Sequence, residues 1–332
     1  MSRRAGIPAI VLASIWAGAV QAQPVTACDR LAGLVHLPRV EGEPGVYALR
    51  DPDEAIRACE AAATSYPAQP WFKLLLARAL LVANTADPRA IRLYTEATEG
   101  LPALAAAHLG VLYEYGYAGL PVSDRTARDF YRQSCEHWPD PQSAMGCTGE
   151  AVLMIEGRGG DTDEANGFRL LDFACREGWG PACVEQAYQI ELRGEGGPDD
   201  VAALFATGCE AGDLLACSQL GFRYELGEGA PLDMGRAQAL YRQACDGGEP
   251  QGCSNLGEIY RSGLGVQQDV VEAVRLFQIG CDGQDAYACL TLGNILIDGR
   301  GVPADARRAR AAFDAACHLG DPEACDMVLE HH

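Results

Sequence analysis

Between Cys217 and Cys325, apolar and polar positions recur every 36 residues, so that Cys217, Cys253, Cys289 and Cys325 open successive copies of one pattern. Each copy begins with large apolar residues at i and i+4, as in Leu220 with Tyr224 and Leu256 with Tyr260. That spacing puts them on one face of a helix. A glycine follows each leucine, at Gly221 and Gly257, and leaves room for a second helix to approach. The pairs Gly227/Gly229, Gly263/Gly265 and Gly299/Gly301 then predict the end of the helix, since glycine enters the left-handed conformation without steric cost. Asp233, Asp269 and Asp305 come next, each twelve residues before a cysteine, and suit the N-cap of a second helix. Glu272, three residues after Asp269, predicts a reciprocal capping box. The second helix offers Ala237, Tyr241 and Ala244, then Ala273 and Phe277, then Ala309, Phe313 and Ala316 for burial. The unit reads helix, Gly-rich turn, helix. A fixed period of this length predicts an all-α superhelical solenoid of stacked units, each touching only its neighbours.

Earlier parts of the chain follow the same pattern less regularly. Residues 105–146 form a clear unit, with Leu109, Gly110 and Tyr113 on the first helix, Ser123 as N-cap and Tyr131 on the second. The units at 147–182 and 183–216 carry Ala151 and Ala187 in place of the glycine, and Met154 and Ile190 in place of the tyrosine. In the second of them, which Cys183 opens, Gly197-Pro198 takes the cap position. Such units either bend the superhelix or have drifted. Upstream, Trp71 to Val82 is a strongly apolar helix that pairs with Pro88 to Glu99. Asp53 to Ser65 predicts a leading helix with Ala55, Ile56, Cys59 and Ala63 on one face. Residues 23–53 hold Pro24, Pro38, Pro44 and Pro52 and read as an extended arm carrying Cys28. The organisation is therefore an arm at 23–53, a leading helix and helix pair at 54–104, repeats at 105–325, and a tail at 326–332 with at most a short capping helix.

The cysteines fall into this frame. The spacing C-x7-C occurs at Cys175/Cys183, Cys209/Cys217, Cys245/Cys253, Cys281/Cys289 and Cys317/Cys325. A bridge across each tight turn would staple one second helix to the next first helix, for about 2–4 kcal/mol apiece. Cys135/Cys147 is a looser version, and Cys28 with Cys59 completes an even set of fourteen. The pattern resembles the Sel1-like repeat family, relatives of the tetratricopeptide repeat, and within it the secreted cysteine-rich Sel1 proteins of Helicobacter. The cysteine-free pair at 71–99 looks tetratricopeptide-like. The segment CDRLAG…AIRACEAAATSYP looks like the N-terminal region of many alphaproteobacterial Sel1 proteins.

Composition narrows the setting. Arg3 and Arg4, an apolar run from Ile7 to Val20 and the sequence Val20-Gln21-Ala22 predict a signal peptide cleaved after Ala22. Export to the periplasm or the exterior is the expectation, in keeping with disulfide chemistry. A loose lipobox, Val25-Thr26-Ala27-Cys28, would lipidate Cys28 but orphan Cys59. After cleavage no segment predicts membrane insertion. The formal net charge of −20 disfavours nucleic acid and anionic lipid. With Lys73 as the sole lysine there is neither a G-x-x-x-x-G-K-[ST] phosphate loop nor an S-x-x-K nucleophile motif, and G-x-S-x-G and H-E-x-x-H are absent. The G-x-G triplets follow helices rather than strands, which argues against nucleotide binding. C-x7-C is wider than zinc spacings. Asp161 and Asp163 in GRGGDTDE hint at calcium, although Asp163 already suits a cap. His108, beside Leu109-Gly110, reads as a packed residue. No cofactor, metal or catalytic residue is expected.

Surface remains as the functional element. By analogy with tetratricopeptide grooves, first-helix positions beyond the packed glycine should face a concave side: Val111, Glu114, Tyr115, Phe222, Glu225, Glu258, Arg261 and Asn294. Phe222 stands out, because Glu258 and Asn294 hold the equivalent places. The resemblance implies a non-catalytic interaction protein binding a protein or peptide. Its alternative is an envelope enzyme or binder acting on cell-wall glycan or β-lactam-type ligands, for which the chain supplies no nucleophile and base.

Overall fold

The structure is a computed structural model, described here for residues 25–33, 49, 51–138 and 140–330. The proposed signal peptide, most of the arm and the last two histidines lie outside the described residues. Two helices lead: α1 (Ala27–Ala32) and α2 (Pro52–Ser65). Seven antiparallel pairs follow: α3 (Pro70–Ala83) with α4 (Arg89–Ala97), α5 (Pro102–Tyr115) with α6 (Asp124–Cys135), α7 (Ala144–Glu156) with α8 (Glu164–Arg176), α9 (Gly180–Arg193) with α10 (Pro198–Glu210), α11 (Leu214–Leu226) with α12 (Met234–Asp246), α13 (Pro250–Ser262) with α14 (Val270–Asp282), and α15 (Ala286–Asp298) with α16 (Ala306–His318). A last helix, α17 (Pro322–Glu330), takes the place of a further first helix. We call the two members of a pair A and B.

Packing follows the 36-residue pattern. A Cβ on Gly293 would lie 2.4 Å from the Phe313 ring, and one on Gly110 2.5 Å from the Tyr131 ring. The glycine therefore seats the large B-helix aromatic against the backbone of helix A. The two turn glycines divide the work. Gly227, Gly263 and Gly299 are left-handed C-caps. The second glycine lies against the preceding B helix: a Cβ on Gly229 would meet the Pro198 carbonyl oxygen at 1.9 Å, and one on Gly159 the Asp124 carbonyl oxygen at 2.4 Å. This second role sits in the stacking of units and is invisible within one unit.

All fourteen cysteines are paired. The bridges are Cys28–Cys59, Cys135–Cys147, Cys175–Cys183, Cys209–Cys217, Cys245–Cys253, Cys281–Cys289 and Cys317–Cys325. Disulfides of this number suit an oxidising compartment. Among the described residues, no helix is long and apolar enough to cross a membrane.

Three local expectations need correction. Cys28 is not on extended chain but on α1, which Thr26 and Asp29 nucleate by a reciprocal capping box. Asp29 also accepts from Trp71 Nε1 at 3.0 Å, which docks α1 on α3. The cysteines mark the period but do not start the helices: α9 begins at Gly180, α11 at Leu214, α13 at Pro250 and α15 at Ala286, so Cys183, like Cys217, Cys253 and Cys289, lies inside its helix. Its side chain is fully buried in one core cluster with Ala151, Leu171 and Ala182, and the Cys175–Cys183 bridge is therefore core packing as well as a staple across the turn. Asp269 caps α14 through the Glu272 N–H at 3.0 Å, but the Glu272 carboxylate turns to Arg275 and the Asp269 N–H goes to the Tyr260 carbonyl, so the box is half formed. The short helix expected over the tail is the end of α17, which begins at Pro322 and buries Ala324.

Candidate functional site

Consecutive A helices pack directly on one another from α5 to α15, while most consecutive B helices stand farther apart. The A helices therefore form the tighter, inner surface of the stack. Side chains meet across it: Gln219 Nε2 donates to Gln251 at 3.3 Å, Asn255 Nδ2 to Ser218 at 3.3 Å, and the Tyr287 hydroxyl to Glu258 at 3.3 Å.

The eight candidate groove residues divide into two kinds. Tyr115 is 59% exposed and stacks on Tyr117, and Phe222 is 40% exposed. Glu258 and Arg261 form a two-point ion pair at 2.8 and 2.6 Å beside Tyr287. Asn294 lines a cavity of about 540 Å³ with Arg261, Tyr287, Thr291, Asp298 and Arg300. These five lie on the accessible A-helix surface. The other three are structural. Val111 packs on Ala127, Tyr131 and Leu153. Glu114 is only 9% exposed; it accepts the Tyr131 hydroxyl at 2.6 Å and Arg158 at 3.0 Å. Its reading as an open groove position is thereby corrected: it locks its own helix pair. Glu225 is half-buried and accepts the Tyr241 hydroxyl at 2.7 Å. The cysteines do not add to this surface. Cys183, Cys217, Cys253 and Cys289, the A-helix halves of four bridges, are fully buried and offer nothing to a ligand.

The glutamate lock was present in the sequence and missed. Five residues after the leucine of helix A comes Glu114 or Glu225 where the B helix has Tyr131 or Tyr241, and Arg261 or Ile297 where it has Phe277 or Phe313. An acid stands where a hydroxyl needs an acceptor. Both hydroxyls are driven above the ordinary tyrosine range, first by burial and then by the carboxylate they serve. Arg158 ties the next unit in, reaching Asp124 at 2.8 Å, Glu114 at 3.0 Å and Glu156 at 3.0 Å. Arg223 does likewise with Glu191 and Glu228, and lies 5.6 Å from the Phe205 ring centroid.

Sequence reading also missed exposed apolar side chains of the A helices. Leu192 is 82% exposed, and Leu226 and Tyr287 are open too. Leu226 is the last residue before a C-cap glycine, where an apolar side chain has no partner in its own pair. A further unforeseen feature is the acid that starts successive A helices: Asp213, Glu249 and Asp285 each accept a first-turn N–H. Glu249 is the most enclosed, and burial, seconded by Asp285 and Asp213, raises its carboxyl to about 7 against two opposing N–H bonds. His108 stacks on Tyr94, and burial depresses its imidazole to about 4. Among the described residues, no cluster of three His, Cys, Asp or Glu is placed to hold a metal ion.

The repeats have relatives. The family model described as Sel1 repeat matches residues 103–137, 214–249, 250–285 and 286–321. The two irregular units between them are unmatched, yet keep the same helix pairs as α7–α10. Among solved structures, a Sel1 repeat protein from Oxalobacter formigenes is similar at 21% identity and TM-score 0.59, over 72% of this chain and 96% of that one. An SLR-fold protective antigen of uropathogenic Escherichia coli, c5321, is similar at 22% identity and TM-score 0.52 over 82% of this chain; the match spans 58% of the antigen. Helicobacter pylori cysteine rich protein B aligns at 26% identity over 37% of this chain and 88% of its own, with TM-score 0.32. No curated protein matches the chain in sequence.

Proposed function

We propose that this Sel1-repeat chain is an exported, non-catalytic interaction protein that takes a segment of a protein partner along its A-helix surface. Sel1 repeats are generally interaction scaffolds, which supports the class. One observation carries the site: Tyr115, Leu192, Phe222, Leu226 and Tyr287 are large apolar side chains left open on A helices. Large apolar groups rimmed by charge are what a protein partner desolvates. Glu258–Arg261 and Asn294 supply the polar rim. The disulfides and the expected cleavage after Ala22 support export to the periplasm or beyond.

The test is site-specific photo-cross-linking in the native envelope. A cross-linker at Phe222 should capture a defined partner, and one at the exposed Val271 of α14 should not. The double variant F222D/L226D should abolish capture while leaving the fold intact by circular dichroism. Equal capture from Val271, or full binding by the double variant, would remove the A-helix surface as the site.

A further inference from the structure

A second site lies away from that surface, between α6 and the following pair. Arg125, Arg128, Asp129 and Arg132 on α6, Glu150 on α7, and Gly159, Gly160 and Asp161 in the next turn line an open cleft of about 640 Å³. The three arginines fall at i, i+3 and i+7 and share one helix face. In a chain of net charge −20 three arginines on one helix face stand out, although Asp129, Glu150 and Asp161 share the cleft with them. Arg132 is paired with Asp129. Arg128 donates to the Asp161 carbonyl oxygen at 3.0 Å, and among the described residues neither it nor Arg125 has a carboxylate in ion-pair range.

The repeat provides its own comparison. Counted from the flanking cysteines, Arg128, Glu150 and Gly160 correspond to Val274, Leu292 and Val302 at the interface of α14 with the α15–α16 pair. There Leu292 is buried, and Val274 and Val302 pack against the core. Three apolar plugs close one interface. In the other they are replaced by a cation, an acid and no side chain at all. A Cβ at position 160 would come within 2.7 Å of the Arg128 guanidinium, so Gly160 leaves the space that this group occupies. Loss of all three plugs together, with two guanidinium groups that feel nearby carboxylates but make no direct ion pair, describes a cleft shaped for a charged ligand.

We propose that this cleft binds a phosphate-type oxyanion, free or as a small soluble monoester, on Arg125 and Arg128. Guanidinium forks match the oxygens of such an anion two at a time, and the hydrogen bonds are charge-assisted. Arg132 is held back by Asp129 and contributes field rather than contact. Glu150 opposes the anion from the far wall and limits the affinity.

Isothermal titration of the full oxidised protein with inorganic phosphate, and separately with glycerol phosphate, tests the site. Saturable one-to-one binding is expected, weakened by about tenfold or more in R125Q/R128Q and strengthened in E150Q. R242Q, which removes the Arg132 counterpart from another interface, should change nothing. Tighter binding of glycerol phosphate than of the free ion assigns the ester as ligand, and the reverse assigns the ion. Absence of saturable binding to both probes, or affinity unchanged in R125Q/R128Q, overturns the proposal. These side chains line an open cleft, so the variants should fold, and an unchanged melting curve checks it.

Discussion

Substituting Tyr131→Phe and Tyr241→Phe makes one chemical change at two equivalent places. Each removes a hydroxyl that donates to a glutamate of the same pair, at 2.6 Å to Glu114 and 2.7 Å to Glu225. In each case the ring stays, so the space against Gly110 or Gly221 remains filled. The partners differ. Glu114 is buried and keeps only Arg158, on its other oxygen. Glu225 is half-buried and can take up water in place of the hydroxyl. A lost hydrogen bond to a buried charged acceptor costs about 1.5–3 kcal/mol, while one whose acceptor rehydrates costs about 0.5–1.5 kcal/mol. Y131F should therefore destabilise more than Y241F by about 1 kcal/mol. Long repeat arrays do not always unfold in one step. The assay is accordingly native-state hydrogen exchange under non-reducing conditions, comparing α5–α8 in Y131F with α11–α14 in Y241F, alongside urea unfolding. In a double-mutant cycle, E114Q should couple to Y131F, since the two side chains are in direct contact. Equal costs for the two tyrosine variants, or the larger cost at Tyr241, would refute the assignment of Glu114 as a buried lock.

Two further outcomes follow from the same reasoning. Burial raises the Glu249 carboxyl from 4.5 to about 7, so its contribution to stability is complete below pH 4.5 and is lost as pH rises through 7. At about 1.4 kcal/mol per pH unit the change is roughly 3 kcal/mol. E249Q should flatten the fall in urea midpoint between acid and neutral pH, though Glu150 and Glu185, also raised by burial, leave part of it, and an unaltered slope would exclude Glu249 as its source. Among the disulfides, Cys28–Cys59 spans 31 residues and Cys245–Cys253 only 8. Loop-closure entropy then makes C28A/C59A costlier than C245A/C253A by about 1 kcal/mol, measured by urea unfolding, and the opposite order would show that strain or packing outweighs the entropy.

Residue spacing alone carried the helix pairs, the B-helix caps at Asp233, Asp269 and Asp305, the left-handed ends at Gly227, Gly263 and Gly299, and the even set of cysteines. Each of these is settled within a few residues along the chain, by backbone sterics, by a side chain reaching its own first turn, or by a short loop closing. What the stack decided was of another kind. Gly229 and Gly159 touch a helix one unit back. Cys183, Cys217, Cys253 and Cys289 mark a period in the sequence but sit in the core of the fold, inside helices that start three residues earlier. Glu114 turned from groove to lock because Tyr131 and Arg158 converge on it from two other helices. Glu249 became an acid that resists ionisation through enclosure by neighbouring units, and Arg128 came to line a cleft because the valine and leucine that close another interface are missing from its own. A carboxylate or guanidinium reads the same in sequence whether it faces water or another helix. The difference is made by what other units place around it, and burial is a property of the assembled repeats rather than of any one of them.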